Sequence, residues 1–146
     1  MRAVIDANVF IGYLLTPNEA GILHAIVDAL FEGHYTLLLF EDLIEEIAQT
    51  SIRKKKLAQR IFVDEIEELL SSLKVVAEEV PPITEAIPAI VRDYKDDYLI
   101  AYSVVYHADY LVTGDKDLLV LKQIEHVKVI PPNEFAQKLR GKTFRT

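Results

Sequence analysis

The sequence predicts an α/β fold of three layers, a central parallel sheet of four or five strands with helices on both faces. Three observations predict it. Short apolar runs alternate along the chain with stripes of helical period, the pattern of successive strand–helix units. Acidic residues stand just after two of those runs, at the edge where open parallel sheets take their ligands. The 146 residues, 51% of them hydrophobic, are enough to bury a substantial core, so residues 1–146 are expected to form a single domain.

The elements follow in order. Ala3-Val4-Ile5 reads as a buried strand closed by Asp6. From Ala20 to Phe31, the residues Leu23, Ile26, Val27 and Leu30 form one helical stripe. Tyr35 to Phe40 is the second strand, and Leu43, Ile44, Ile47 and Ala48 after it fall on one side of a helix. Ile61, Phe62, Ile66, Leu69, Leu70 and Leu73 mark a further helix, after which Lys74-Val75-Val76-Ala77 is a candidate strand. Pro81-Pro82 and Pro88 mark a connection, because neither side is long enough to be a separate domain. Asp97 to His107 is helical, with Ile100, Ala101, Val104 and Val105 inward. Tyr110-Leu111-Val112 and Val127-Lys128-Val129-Ile130 complete the strands.

Composition excludes several chemistries. The absence of cysteine removes disulfides, thiolate metal sites and cysteine nucleophiles, and it accords with a reducing cytosol. No apolar stretch approaches the twenty or so residues of a membrane span, so a cytoplasmic protein with no membrane partner is expected. His24, His34, His107 and His126 are scattered, without the helical spacing of a metal site and without a Ser-His-Asp arrangement around them. A net charge of −7 runs against phosphate binding, unless acids hold cations that reverse the local sign. One dense basic run, Arg53-Lys54-Lys55-Lys56 with Arg60, reads either as a solvated helix face or as a rim that holds a phosphate backbone.

Converging carboxylates repel one another, and a fold that gathers several of them usually holds a divalent cation. Asp6 should emerge at the carboxyl edge of a central strand, with Asn8 as a polar neighbour, although capping a helix would also explain it. Glu46 lies nearer the buried flank of its helix than Glu41, Asp42 or Glu45, yet acids in a first turn also favour the helix dipole. Asp97 projects from the same side as Ile100 and Ala101, while Asp96 competes with it for both roles. Thr113-Gly114-Asp115-Lys116-Asp117 places two acids on a loop after a strand, where a glycine permits close approach of a ligand.

Taken in order, Val4-Ile5-Asp6-Ala7-Asn8-Val9, Leu43-Ile44-Glu45-Glu46-Ile47, Asp97-Tyr98-Leu99-Ile100-Ala101 and Leu111-Val112-Thr113-Gly114-Asp115-Lys116-Asp117-Leu118-Leu119 resemble a PIN domain. They are most similar to the VapC-like toxin components of prokaryotic toxin–antitoxin systems. Val129-Ile130-Pro131-Pro132-Asn133-Glu134-Phe135 also looks like the family's last strand and helix, so nearly the whole chain is covered. The resemblance implies strand order 3-2-1-4-5 and Mg²⁺- or Mn²⁺-dependent cleavage of RNA. It implies a metal-holding quartet at Asp6, Glu46, Asp97 and Asp115, with Asp117 beside it and Asn8 and Thr113 at neighbouring polar positions. A homodimer and an antitoxin partner are implied as well. Glu45 and Asp96 remain the competing assignments.

Other classes fit less well. A haloacid-dehalogenase-type phosphotransferase needs a second Asp where Asn8 stands, and a receiver domain would have only Asp42 after its middle strand. A PIN fold that acts by binding RNA or antitoxin with little turnover is the nearest alternative. Tyr94, Tyr98, Tyr102 and Tyr106 recur every four residues, a stripe that either packs on its own core or forms a partly wet interface.

Overall fold

The structure, a computed structural model, describes residues 1–16, 21–58, 63–83 and 97–143. The first strand, β1 (Arg2–Ile5), has Ala3, Val4 and Ile5 fully buried, as a parallel strand covered on both faces must. It is followed by α1 (Ala7–Leu15) and α2 (Ile22–Phe31). Then come β2 (Thr36–Leu39), α3 (Glu41–Ala58), α4 (Val63–Val76) and the two-residue β3 (Glu78–Glu79). The second half of the chain supplies α5 (Tyr98–Val105), β4 (Tyr110–Val112), α6 (Lys116–Leu119), β5 (Gln123–Ile124), β6 (Val127–Ile130) and α7 (Pro132–Thr143).

The sheet runs β3-β2-β1-β4-β6-β5 with helices on both sides. All neighbouring pairs are parallel except β5 with β6. The expected order 3-2-1-4-5 is therefore observed, with β6 in the fifth place and one short antiparallel strand added outside it. Glu125, at φ 52°, turns the chain between β5 and β6. Nothing in the pattern of a two-residue strand announces it, because a strand that short contains no period.

One expectation is corrected. Lys74-Val75-Val76-Ala77 is not a strand: its first three residues are the last turn of α4, and the strand is Glu78–Glu79. Leu69 and Leu73 extend the helical stripe into the core, and the Ala77 amide still donates to the Leu73 carbonyl at 2.8 Å. Val75 is 84% exposed, so its β-branched side chain has no sheet face to cover, and helix continuation overrides its strand preference. Ile61, Phe62, Pro88 and Tyr94 lie outside the described residues.

The tyrosine stripe turns inward. Tyr102 stacks on Phe40 with ring centroids 3.9 Å apart, Tyr98 meets Phe40 edge-on, and the Tyr106 hydroxyl donates to the Pro81 carbonyl. These contacts fasten α5 to the end of β2 and to the chain leaving β3.

Candidate active site

The order of the sheet reverses between β1 and β4: from β1 the chain winds outward through β2 and β3, then crosses back to β4 and winds the other way. Connections leave these two strands on opposite courses, which opens a crevice beyond their carboxyl ends. Two hydrogen bonds extend the sheet into that edge. The Asp6 amide donates to the Val112 carbonyl at 2.9 Å, and the Thr113 amide donates to the Ile130 carbonyl at 3.0 Å. Asp6 and Thr113 are therefore held at the rim by the sheet itself, and both are buried.

Three aspartates begin helices there. Asp6 caps α1, Asp97 caps α5 and Asp115 caps α6, each accepting the amide two residues on, from Asn8 at 3.1 Å, Leu99 at 3.0 Å and Asp117 at 2.9 Å. Capping and a place in the crevice are not alternatives, since one carboxylate oxygen caps and a second is left over. For Asp6 that second oxygen accepts the Thr113 hydroxyl at 2.8 Å. The same Thr113 oxygen accepts the Asp115 amide at 3.0 Å, so one buried threonine links two of the acids.

Asp6, Asn8, Glu46, Asp97 and Asp115 line a single cavity of about 250 Å³, with Tyr98, Leu99 and Leu118 as its less polar walls. Glu46 reaches it from α3, while Glu45 does not line it. Asp97 reaches it from the start of α5, and Asp96 lies outside the described residues. Asp117 is exposed on the first turn of α6 and is not part of the cavity wall. Arg53 is exposed on α3, the helix that also contains Lys54, Lys55 and Lys56, and Arg60 falls outside the described residues.

The acids act on one another. The Glu46 carboxyl is pushed above its ordinary pKa by burial and then by the charges of Asp6 and Asp97, with Arg53 opposing them. Glu46 keeps much of its solvent access, which moderates the effect. Asp97 is also pushed up, first by burial; the Leu99 and Ile100 amides work against that, and Asp6 and Asp115 reinforce it. A concave site whose carboxyl groups disfavour one another's charge is one that a cation relieves.

Hard oxygen donors of this kind suit Mg²⁺ or Mn²⁺ rather than a soft metal. Among the described residues, no group of three acidic or imidazole side chains is placed closely enough to hold a metal ion by itself. The donor set fits in its chemistry and in its mutual repulsion.

Tertiary structure also joins what the sequence leaves apart. His107 and His126 stack with ring centroids 5.0 Å apart at the amino edge of the sheet, opposite the crevice. Two larger recesses, of about 510 Å³ beside Phe40 and Pro81 and about 490 Å³ beside Tyr13 and Phe31, are each lined by two acids, Glu41 and Glu79 in the first and Glu65 and Glu68 in the second, against the four of the crevice.

A family model described as a PIN domain matches residues 2–117. The chain is 29% identical over 147 aligned positions to Uncharacterized protein MJ1680 of Methanocaldococcus jannaschii, covering 94% of this chain and 91% of that protein. In fold it is similar to the crystal structure of PAE2754 from Pyrobaculum aerophilum. That likeness has a TM-score of 0.60 at 15% identity, covering 97% of this chain and 90% of the other.

Proposed function

The chain belongs to the PIN-domain family, and from that premise we propose that it is a Mg²⁺- or Mn²⁺-dependent endoribonuclease. PIN domains are typically nucleases and generally use divalent metal ions. The observation that carries the finer reading is the convergence of Asp6, Glu46, Asp97 and Asp115 on one cavity at the switch point of the sheet.

In this reading Asp6, Asp97, Asp115 and Glu46 would hold the metal, with Asp117 outside the cavity wall. A divalent ion held there would supply a polarised water for attack on the phosphodiester and would offset charge on the phosphate. The side chains do the remaining work. Helix caps fix three carboxylates before any ligand arrives, and Thr113 holds Asp6 through a buried hydrogen bond, so little reordering is left for the binding step. Asn8 offers an amide at the cavity wall for a water or a phosphate oxygen. Leu118 and Tyr98 limit solvent on the other side.

We assign the activity to a toxin of the VapC-like kind, with an antitoxin and a second copy of the chain as partners and the cytoplasm as its place of action. The order of motifs from Asp6 to Leu119 supports this assignment. Expression of the parent should arrest growth of a bacterial host, and expression of an Asp97→Asn variant should not.

The direct test is cleavage of single-stranded and structured RNA by the purified protein with Mn²⁺, Mg²⁺ or EDTA. Asparagine caps a helix about as well as aspartate, so Asp97→Asn should keep the fold while lowering the rate at least a hundredfold or so. Cleavage by that variant at the parental rate would end the assignment of the site, and no cleavage by the folded parent under any metal would favour a PIN fold that binds RNA or antitoxin with little turnover.

A further inference from the structure

On α3, Glu46, Thr50 and Arg53 stand at positions i, i+4 and i+7, which puts them along one helical face. Arg53 is exposed, and its Nη2 donates to the Thr50 hydroxyl oxygen at 3.1 Å. That bond draws the guanidinium back one turn, in the direction of Glu46 and the acidic cavity. The ion pairs among the described residues are Arg2 with Glu78 and His34 with Glu32. No described carboxylate pairs with Arg53, although the chain has 23 acids to 16 lysines and arginines. A guanidinium in no ion pair with a described carboxylate, steadied by a hydroxyl and leaning toward a cavity of acids, has donors left for an anion that arrives from solution.

Resting on the nuclease reading above, we propose that Arg53 anchors the phosphodiester backbone of the RNA, at a phosphate neighbouring the one that enters the acidic cavity. Seven residues of helix rise about 10 Å, so Arg53 is carried past the cavity wall that Glu46 lines, by a distance on the order of that between neighbouring phosphates. The planar fork of arginine suits phosphate oxygens, and its charge offsets the acids on the approach. The basic run therefore divides by helical register, with Arg53 on the face of the cavity.

The test measures binding of a labelled single-stranded RNA, and of a DNA of the same sequence, to the Asp97→Asn protein over a range of salt, where no turnover is needed. Adding Arg53→Ala should weaken binding about tenfold, the size of one charged contact. It should also flatten the slope of log K against log salt by about 0.7. Thr50→Val, which keeps the charge and frees the side chain, should fall between the two. Arg140→Ala, exposed on α7, should change neither quantity. In the turnover-competent protein, Arg53→Ala should act on KM more than on kcat.

If Arg53→Ala matches Arg140→Ala in slope and affinity while the parent cleaves RNA, the anchor is overturned and the nuclease reading stands. If the parent cleaves nothing yet Arg53→Ala flattens the slope, the nuclease reading falls and the anchor stands. Equal losses on RNA and DNA support a phosphate contact. A loss confined to RNA would move the contact to the ribose hydroxyl and overturn it.

Discussion

Asp6, Asp97 and Asp115 each cap a helix through one oxygen and also line the cavity, so capping and a place in the crevice, which compete as readings of the sequence, occur together. Thr113 shows how much one buried side chain holds in place. Its hydroxyl donates to Asp6 and accepts from the Asp115 amide, and it is fully buried. Thr113→Val keeps the shape but leaves a buried carboxylate oxygen and an amide without their partner, so a loss of about 1–3 kcal/mol is expected. Thermal unfolding checks the stability, and cleavage should fall with it as Asp6 loosens. An unchanged melting temperature would mean that the bridge contributes nothing. Asp6, Asp97 and the Thr113-Gly114-Asp115 turn were legible in the sequence as strand ends and helix starts. The hydroxyl bridge was not, because it spans 107 positions along the chain.

At the scale of elements, α5 is fixed by aromatic packing on Phe40. Tyr102 is 4% exposed and stacked on Phe40, so Tyr102→Glu would bury a charge and should unfold the protein or lower its melting temperature sharply. Tyr102→Ala should cost about 3–5 kcal/mol, measured by denaturant unfolding. A Tyr102→Glu protein that stays folded but sediments as a smaller species would return this face to the proposed dimer. Periodicity located α2, α3, α4 and α5, since each has an apolar stripe. It failed at Val75 and Val76, where two β-branched residues resemble a strand but complete a helix. No local signal separates those outcomes, because the choice depends on whether a sheet face is available to them.

For the whole molecule, burial and then mutual repulsion hold the Glu46 and Asp97 carboxyls of the crevice above their ordinary pKa. The raised pKa values of Glu46 and Asp97 mean that the folded protein binds more protons than the unfolded chain between the ordinary carboxylate range, about 4, and those raised values. Their contribution to stability is complete below that window and is lost as pH rises through it. The metal-free protein should therefore gain melting temperature on going from pH 7 to mildly acidic pH by this effect, and Glu46→Gln should reduce the gain. Mn²⁺ at neutral pH should raise the melting temperature, by an amount equivalent to about 2.7 kcal/mol at a hundred times its Kd, and EDTA should reverse the rise. A melting temperature indifferent to Mn²⁺ at pH 7 would count against metal binding at these acids.

What the sequence determined by itself was the alternation of buried strands and amphipathic helices, and the placement of acids at the ends of two strands. Those are local properties, written in periods of two and 3.6 residues and in capping chemistry. What only the tertiary structure decided was that Asp6, Glu46, Asp97 and Asp115 share one cavity, that Glu46 rather than Glu45 reaches it, and that Thr113 ties two of the aspartates together. Strand order set those outcomes. Pairing β1 with β4 brings together residues more than a hundred positions apart, and no local pattern encodes a contact that exists only once the sheet has formed.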